Sequence, residues 1–413
     1  MKRYLIDLRP IRESSQFRKM FSSQLVSNFG DQLSAVGVAY EVYHITGSSF
    51  QVGAVSVAQL LPLALVSIFG GGLVDHLDRR KLMLGGYLLS GLLSIGTVVD
   101  ISRAKVILWP LYLFPALIAG ASSLVRASQN ATVTGIVGDH LITAAAALRQ
   151  LMFQIGAITG PAIAGIIIAK GGVSLAFFID TASFFVGLAI TLVLKPLPPE
   201  QSNSQRRTRL KDGYSAVKAS HSLLGIYTVD LIAMVFGMPR ALFPALAIHQ
   251  FHGGPALLGY MYAALGGGSM VAALSSGWLA SIGRLGLSIE INVCVWGLAI
   301  ALFGITHQIA LALMMLALAG YSDVNSAILR NSLLQYSAPK ETLGRLNAVQ
   351  ILVVTGGPRL GDLESGIAGS IGGTTFAVVS GGIACIVFTA FLAMRLTGFT
   401  KYDVSGRRPI DPN

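Results

Sequence analysis

The chain has 413 residues, of which 53% are hydrophobic and 12% are charged, and its formal net charge is +11. Soluble globular proteins carry about 25% charged residues. With a mean hydropathy of +0.67 and apolar runs throughout its length, this chain has more apolar surface than one water-soluble core can bury, which excludes a soluble enzyme.

Twelve segments are long enough to cross a hydrocarbon layer of about 30 Å as helices of about 20 residues. The first segment follows a basic leader and precedes many more spans, so we expect no cleaved signal peptide and an N-terminus that stays in the cytoplasm. The predicted limits, in chain order, are 21–43, 51–74, 82–100, 106–128, 145–168, 174–194, 222–247, 256–280, 285–305, 309–330, 346–369 and 375–396.

The distribution of Lys and Arg tests this topology independently, because these residues are retained on the cytoplasmic side. With the N-terminus inside, 25 of the 30 basic residues fall on the cytoplasmic face, and Arg103, Lys105 and Lys170 fall outside. The bias predicts an even number of spans with both termini in the cytoplasm. It also accounts for the pI of about 9.8 without nucleic acid as a partner.

A stretch rich in Pro and basic residues divides six predicted helices from six. Its run from Arg206 to Lys211 is able to bind anionic lipid, and an ordinary linker on the cytoplasmic side is the simpler interpretation. The predicted divisions are an N-terminal six-helix bundle over 1–194, a cytoplasmic linker over 195–221, a C-terminal six-helix bundle over 222–396 and a cytoplasmic tail over 397–413.

The second half of the chain repeats features of the first. A shift of 206 residues aligns the second predicted helix with the eighth without a gap and places Gly53 on Gly259 and Gly71 on Gly277. Such a repeat is what a duplicated six-helix unit requires. We therefore expect two halves that meet at a central cavity and rock against each other.

The loop after the second predicted helix combines a glycine, a carboxylate and basic residues, namely Gly71, Asp75, Arg79 and Arg80. Glycine permits close helix approach, and a carboxylate at membrane depth needs a partner. This spacing resembles the G-x-x-x-D-x-x-G-[RK]-[RK] signature of the major facilitator superfamily, with Asp78 in the place of a glycine. The resemblance implies that Asp75, Arg79 and Arg80 latch the two halves on the cytoplasmic side. The alternative is a basic loop that only sets topology.

The fifth predicted helix carries small residues four apart, followed by a Gly-Pro step, at Gly156, Gly160, Pro161 and Gly165. Small residues let a neighbouring helix pack closely, and Pro161 removes a backbone donor and permits a bend. The pattern resembles the G-x-x-x-G-P-x-x-G-G signature of antiporters in the superfamily, with Ala164 replacing one glycine. The resemblance implies export by antiport, with Gly156, Gly160 and Pro161 taking part in gating, and simple helix packing is the alternative.

Two charged residues inside predicted helices are candidates for proton coupling. Arg126 begins a stretch that resembles the R-x-x-Q-G pattern of proton-coupled members, with Asn130 in the place of the glycine. Asp31 lies about ten residues into the first helix, which lines the cavity in the resembled fold. A carboxylate there is able to carry a proton. The alternatives are an Asp31 fixed to hydroxyls or to Arg126, and an Arg126 that reaches the interface.

Charged residues in the second half are candidates for binding the substrate, because a charge inside the bilayer needs a cavity or a partner. On one continuous helix, Asp230 and Arg240 would share a face about 15 Å apart. We expect Arg240 to grip an anionic group, and an ion pair with another helix is its alternative. Helix 11 contains Arg359, Asp362 and Glu364 beside glycines and Pro358, so we expect it to be the most interrupted span. Arg359 and Asp362, three residues apart, are also able to pair structurally.

The resemblance narrows in the second half, where the stretches 240–247, 258–264, 332–336 and 343–347 are similar to the enterobactin-exporter subfamily. It implies an all-α membrane protein with twelve transmembrane helices in two pseudo-symmetric six-helix bundles around a central cavity. It also implies a monomeric secondary exporter in the bacterial inner membrane, which moves a small amphipathic, siderophore-like molecule outward by proton antiport. A broad multidrug efflux pump on the same fold is the alternative, and a membrane enzyme or assembly factor is a third class.

Several chemistries lack their residues in this sequence. It has no G-x-x-x-x-G-K-[ST] loop for nucleotide phosphates, no H-E-x-x-H and no G-x-S-x-G. Cys294 and Cys385 both lie inside apolar runs and make neither a disulfide framework nor a zinc site. We therefore expect no enzyme, no cofactor and no bound metal.

Overall fold

The computed structural model describes residues 7–198, 217, 220–338 and 343–404, and twelve membrane-spanning helices run through this part of the chain. The predicted all-α membrane fold and its helix count are thereby confirmed. The helices are α1 (Ser15–Thr46), α2 (Ser49–Ala58 and Leu60–His76), α3 (Arg79–Ile101), α4 (Leu108–Ile136), α5 and α6 (together Ile142–Leu192), α7 (His221–Gln250), α8 (Gly254–Ser275), α9 (Leu285–Ile305), α10 (Ile309–Ser337), α11 (Leu343–Gly372) and α12 (Thr374–Arg395).

The ends of α1 follow from capping residues in the sequence. The Ser14 hydroxyl accepts a hydrogen bond from the Phe17 N–H at 3.1 Å, which satisfies one of the free donors of the first turn. At the other end Gly47 adopts φ 62°, and its N–H donates to the Tyr43 carbonyl oxygen at 2.7 Å. Because these caps lie outside the apolar run, α1 is longer than the predicted span 21–43.

The link between α5 and α6 and the interruption of α2 each depend on a residue with special backbone chemistry, a glycine in the first case and a proline in the second. α5 and α6 are joined without a loop, because Gly172 takes φ 77° and ψ 171°, a conformation that is essentially restricted to glycine. α2 is interrupted at Gln59. Pro62 lies in the turn that follows, and its missing N–H leaves the Ala58 carbonyl without its helical donor.

The prediction that α11 is the most interrupted span is wrong. α11 is one helix over Leu343–Gly372, with Pro358 inside it. The broken span is α7, which ends ahead of Pro239 and resumes in short helical turns from Arg240. Asp230 and Arg240 therefore do not lie on one continuous helix, and the three-turn geometry expected for them is also wrong.

The chain forms two compact units, and the linker prediction falls mostly outside the described residues. The stretch from Arg206 to Lys211 is among the residues that the structure does not describe. The predicted boundaries at 194, 221 and 396 thus stay predictions. The first unit holds the described residues within Met1–Gly47, Val57–Asn203 and Gly253–Ala263, and the second holds those within Ser48–Ser56, Ser204–His252 and Ala264–Asn413.

Corresponding helices pack together within the two units. In the first, α1 packs on the α5–α6 pair, and α3 packs on α4 and on the same pair. In the second, α7 packs on α11 and α12, and α9 packs on α10 and α12. Equivalent partners in equivalent order support the predicted duplication of a six-helix unit.

The glycines aligned by the 206-residue shift make equivalent contacts. A Cβ atom added to Gly53 would meet the backbone of Asp362 and Leu363 in α11. One added to Gly259 would meet the backbone of Pro161 and Gly165 in α5. Because α5 and α11 are the fifth helices of the two repeats, each glycine lets its helix approach the corresponding partner.

Candidate functional site

The polar helices of the bundle mark where chemistry is possible. Among the described residues, nine helical segments are apolar and long enough to cross a membrane by composition alone, and neither α1 nor α11 is among them. α1 buries Gln24, Ser27 and Asn28 on one face, ahead of Asp31. Polar side chains inside a membrane helix have to face protein or water, so this face of α1 defines the candidate site.

Asp31 and Arg126 form an ion pair. The Arg126 Nη2 atom lies 3.1 Å from Asp31 Oδ2, which joins α1 to α4 in the first unit. The side chains remain 20% and 46% exposed, so water and small ions reach both partners. Arg126 is not at the end of its helix as predicted, because α4 continues for ten residues beyond it, to Ile136. The structure thus brings together the two residues predicted for proton coupling.

A small polar pocket adjoins this pair. It has a volume of about 20 Å³, enough for one water molecule. The Tyr87 hydroxyl beside it is 2.9 Å from Ser23 Oγ and accepts a hydrogen bond from Gln129 Nε2 at 3.1 Å. The lining residues come from α1, α3, α4 and α5, and they are Gln24, Ser27, Asn28, Asp31, Tyr87, Ser122, Val125, Arg126, Gln129 and Phe153.

Arg149 extends the polar network along α5. Its Nε donates to Gln24 Oε1 at 3.1 Å, and its Nη2 contacts Asn130 Oδ1. Asn130 is the residue that departs from the family pattern, where a glycine is usual. The side-chain amide that replaces the glycine provides the acceptor that holds Arg149 against α4.

The small residues of α5 pack against the polar face of α1. A Cβ atom on Gly156 would overlap the Asn28 side-chain amide, and one on Gly160 would lie 2.6 Å from Gln32 Cβ. Asn28 and Gln32 flank Asp31 on α1. The motif glycines of α5 therefore contact the residues of α1 next to the ion pair. A larger side chain at either glycine would displace Asn28 or Gln32.

The last glycine of the same motif makes a contact between backbones. A Cβ atom on Gly165 would lie 2.6 Å from the Pro255 carbonyl oxygen and 2.9 Å from Gly259 Cα. Backbone atoms in packed helices cannot move aside as the end of a flexible side chain can. α5 and the start of α8 are consequently matched to each other only while both positions are glycine.

We predict that Gly259→Val destabilises the protein by about 1–3 kcal/mol, the usual cost of overpacking, and reduces transport. Its Cβ would lie 2.9 Å from Gly165 Cα and 3.0 Å from Gly165 N. Gly267→Val in the same helix is the matched control, because a Cβ there meets nothing within 4 Å. Unfolding free energies measured in mixed detergent micelles should separate the two variants, and equal values would contradict the backbone contact.

The loop between α2 and α3 is organised by Asp78, the residue that departs from the family signature. Its carboxylate accepts from the Arg80 N–H at 2.8 Å and caps α3. Arg79 is buried and donates through Nη1 to the Ala131 carbonyl oxygen of α4 at 2.8 Å. The tight turn that a glycine would give is here replaced by a capped helix start.

Arg80 at the start of α3 and Asp75 near the end of α2 behave differently. Arg80 Nη2 donates to the Leu192 carbonyl oxygen at 2.6 Å, at the end of α6, where a cation complements the helix dipole. Asp75 is exposed and has no hydrogen bond or ion pair with a described residue. Around Gly71 there is open space, so the close approach expected there is absent in the described part of the chain. The latch role of Asp75, Arg79 and Arg80 and the gating role of Gly71 stay predictions.

We predict that Asp78→Ala lowers the free energy of unfolding by about 1 kcal/mol, because the cap of α3 is lost. Asp78→Ser keeps a capping hydroxyl and is the matched control. Denaturant titrations of the purified protein should therefore rank the wild type and the serine variant above the alanine variant. An alanine variant as stable as the serine variant would show that the cap contributes nothing.

In the second unit Asp230 forms a buried ion pair with α10. Arg330 Nη2 lies 2.9 Å from Asp230 Oδ1 and 3.9 Å from Asp323 Oδ1. The Asp230 and Arg330 side chains are only 2% and 4% exposed. In this arrangement the Asp230 carboxylate is occupied by the Arg330 guanidinium, and its role in substrate binding stays a prediction.

The remaining predicted substrate residues lie around α11. Arg240 and Arg359 both attract the Asp362 carboxylate electrostatically, and Arg359 Nη1 also donates to the Thr355 carbonyl oxygen at 2.8 Å. Asp362 is buried, and Glu364 is partly buried. The position of Arg240 agrees with the ion-pair alternative, and its contact with a substrate stays a prediction.

Sequence reasoning offered the Asp31–Arg126 contact as one alternative but missed the equivalent pair in the second unit. In each unit an ion pair joins the first and fourth helices of the repeat. It is formed by Asp31 and Arg126 in the first unit and by Asp230 and Arg330 in the second. The offsets between equivalent residues are 199 and 204. An alignment of the repeats helix by helix, rather than with the single shift of 206, would have found the second pair.

Comparison with known proteins identifies the family of this helical arrangement. The family model described as "Transmembrane secretion effector", a member of the major facilitator group, matches residues 7–412. The chain belongs to this family. The transporter is therefore a multi-pass membrane protein of the superfamily that the loop and α5 motifs resemble, and its relatives are not enzymes.

Proteins similar in sequence are named as enterobactin exporters. The transporter is 28% identical to the enterobactin exporter EntS of Citrobacter koseri over 399 residues, which cover 96% of this chain and 95% of that protein. It is 27% identical to the enterobactin exporter EntS of Escherichia fergusonii over 401 residues, with 97% and 96% covered. These matches extend over nearly the whole transporter, both units included.

Similar solved structures share the fold at low sequence identity. A bacterial homologue of the human lysosomal transporter Spinster, in an inward-facing, unoccupied conformation, matches with a TM-score of 0.74 and 14% identity, covering 96% of this chain and all of that one. The nucleoside transporter NupG matches with a TM-score of 0.71 and 14% identity, covering 93% of this chain and 100% of its own. These likenesses show that the transporter has the fold of secondary transporters.

Proposed function

We propose that this protein exports a small amphipathic, siderophore-like molecule from the cytoplasm by proton antiport with alternating access. It acts as a monomer in the bacterial inner membrane, with both termini in the cytoplasm. The names of its full-length relatives support the direction and the substrate class. The Gly-Pro motif of α5 supports antiport, and the excess of basic residues on one face supports the orientation.

The ion pair between Asp31 and Arg126 carries the proposal. An ionised Asp31 holds Arg126, and a proton that arrives through the polar pocket neutralises the carboxylate and weakens that attraction. Arg126 is then available to an anionic group. One site thereby alternates between a proton and a substrate anion, which is the exchange that antiport requires.

The residues around α11 form a separate proposed site for an anionic group, within the second unit. Arg240 and Arg359 supply positive charge for an anionic group, and Asp362 attracts both guanidinium groups when no anion is bound. Glu364, two residues further along α11, is proposed to contact the substrate as well. A guanidinium suits planar oxygen-rich groups, because it donates two parallel hydrogen bonds. This chemistry fits an anionic, siderophore-like molecule.

Gating is assigned to the two motifs of the first unit. Gly156, Gly160 and Pro161 set how closely α5 packs against α1. Arg79 and Arg80 bind the start of α3 to carbonyl groups of α4 and α6, which makes this end of the unit rigid. Gly71 and Asp75, both exposed near the end of α2, are available for contacts that form during the transport cycle.

Transport in proteoliposomes tests the proposal directly. Purified protein is reconstituted, a pH gradient is imposed, and movement of enterobactin and of counterflowing protons is recorded together. Proton-coupled enterobactin transport that a lipophilic cation does not inhibit supports a siderophore exporter. Equal competition by lipophilic cations would replace this function with broad multidrug efflux. Absence of any ligand movement under every gradient would reject transport itself.

We predict that Arg240→Ala weakens the transport of anionic substrates at least tenfold and spares neutral ones. The reason is that only an anion loses a charge-assisted hydrogen bond when the guanidinium is removed. Arg103→Ala is the control, because Arg103 is 53% exposed at the end of α3 and far from α11 in sequence. Equal losses for anionic and neutral substrates would contradict a gripping role.

A further inference from the structure

Asp180, in α6, is a buried acid that the proposed mechanism does not use. It is 1% exposed and lies between α6 and α1 in the first unit. Ser34 of α1 donates a hydrogen bond to its Oδ2 atom, and Ser183 Oγ lies 3.5 Å from its Oδ1 atom. A Cβ atom on Gly30 would overlap both Asp180 Oδ1 and Ser183 Oγ, so α1 and α6 are packed closely here. The carboxyl group consequently has little room for water.

No cation compensates this carboxyl group in the described part of the chain. Its two hydrogen-bonding partners are hydroxyl groups, and the charged side chain that acts on it electrostatically is another acid, Asp31. Arg126 of α4 does not supply the missing cation, because it pairs with Asp31. Arg149 of α5 is bonded to Gln24 and Asn130. From α3, the neighbouring contact is uncharged, between Ser94 and Thr181 at 2.6 Å.

The charges of this region do not balance when every acid is ionised. Asp31 and Asp180 supply two carboxyl groups, and Arg126 supplies one guanidinium. An isolated charge without a partner in a low-dielectric interior costs several kcal/mol, and a group in that position binds a proton instead. Of the two acids, Asp31 has the cation and the access to water. The proton therefore belongs on Asp180.

We propose that Asp180 is a second proton-binding residue of this site, and that it holds its proton at neutral pH while Asp31 is ionised. The neutral acid hydrogen-bonds to Ser34 and keeps α6 against the segment of α1 that carries Asp31. If Asp31 exchanges protons as proposed above, the site alternates between one and two bound protons rather than between none and one. Two interacting carboxyl groups then titrate as a pair.

Infrared spectroscopy of the purified protein in lipid nanodiscs tests this assignment without transport. The carbonyl stretch of a protonated carboxyl group should be present at pH 7 in the wild type and in Asp31→Asn, and one such band should be lost in Asp180→Asn. Ser34→Ala should keep the band and shift its frequency, because a hydrogen bond to the acid is removed. This second variant retains the test if Asp180→Asn does not fold.

The outcomes are distinct from those of the proposed function. Asp180→Asn preserves a neutral, hydrogen-bonding side chain, so it should retain at least half of the wild-type export rate, whereas Asp31→Asn should not. Identical spectra for the wild type and Asp180→Asn at pH 7, or an unshifted band in Ser34→Ala, would overturn the proposal. Loss of export by every protein, with the spectra as expected, would reject the transport function and leave the stored proton in place.

Discussion

Asp31→Asn should abolish uphill, proton-driven export and leave substrate binding intact. The amide has the same shape and still accepts a hydrogen bond from Arg126, 3.1 Å away in the wild type, but it cannot take up a proton. Energy from a pH gradient then has no path into the transport cycle. Proteoliposomes with an imposed gradient measure the first effect, and calorimetric binding of enterobactin to the purified protein measures the second.

Glu290→Gln is the matched control for this experiment. Glu290 is a buried acid of α9 whose Oε1 accepts a hydrogen bond from Thr400 Oγ1 at 2.8 Å, a contact that glutamine preserves. Export at the wild-type rate is expected from this variant. Gradient-driven accumulation by Asp31→Asn at that same rate would remove Asp31 from the mechanism.

Arg330→Met should cause the largest loss of stability, about 3–5 kcal/mol. Removal of the guanidinium leaves Asp230, whose side chain is 2% exposed, without its cation, and also takes the nearest cation from Asp323. An uncompensated buried charge is far more costly than the net contribution of the intact pair. Unfolding by sodium dodecyl sulfate in mixed micelles gives the free energy directly.

The double variant Asp230→Asn/Arg330→Met separates charge from packing. It removes both members of the pair, so most of the lost stability should return, since neutral replacement of a buried ion pair is often tolerated. A double variant as unstable as Arg330→Met would mean that the side-chain volume of Arg330, rather than its charge, supports the contact between α7 and α10.

Helix positions were predictable because each apolar run is long enough to cross the membrane and is bounded by capping or helix-breaking residues. Which proline breaks a helix was not predictable. Pro62 and Pro239 accompany interruptions in α2 and α7, whereas Pro358 lies inside a continuous α11. A proline costs the same hydrogen bond at each place. Packing against neighbouring helices decides whether the helix absorbs that cost, and a linear sequence does not contain this information.

The candidate site was predictable in part for a similar reason. Asp31 and Arg126 were identified because a charge within an apolar run is conspicuous. Their contact was only one of the predicted alternatives. The two residues are 95 positions apart in the chain, so the contact depends on how α1 packs against α4. The ion pair of Asp230 with Arg330 was not predicted, because it depends on how α7 meets α10, and the role of Asp230 in substrate binding stays a prediction. Gln129 was part of the R-x-x-Q-G pattern, but its hydrogen bond to Tyr87 was not predicted, and Tyr87 carries no charge and belongs to no motif.

The connection at Gly172 has a consequence for the biogenesis of the protein. Because α5 and α6 turn into each other at a single residue, they have no loop that could be threaded across the bilayer after the first helix is in place. We therefore expect the two helices to enter the membrane together, as one helical hairpin. An epitope tag inserted between Lys170 and Val173 would separate the two helices of this hairpin. We therefore expect the tag to block membrane integration. It would then give no information on which side of the membrane this connection faces.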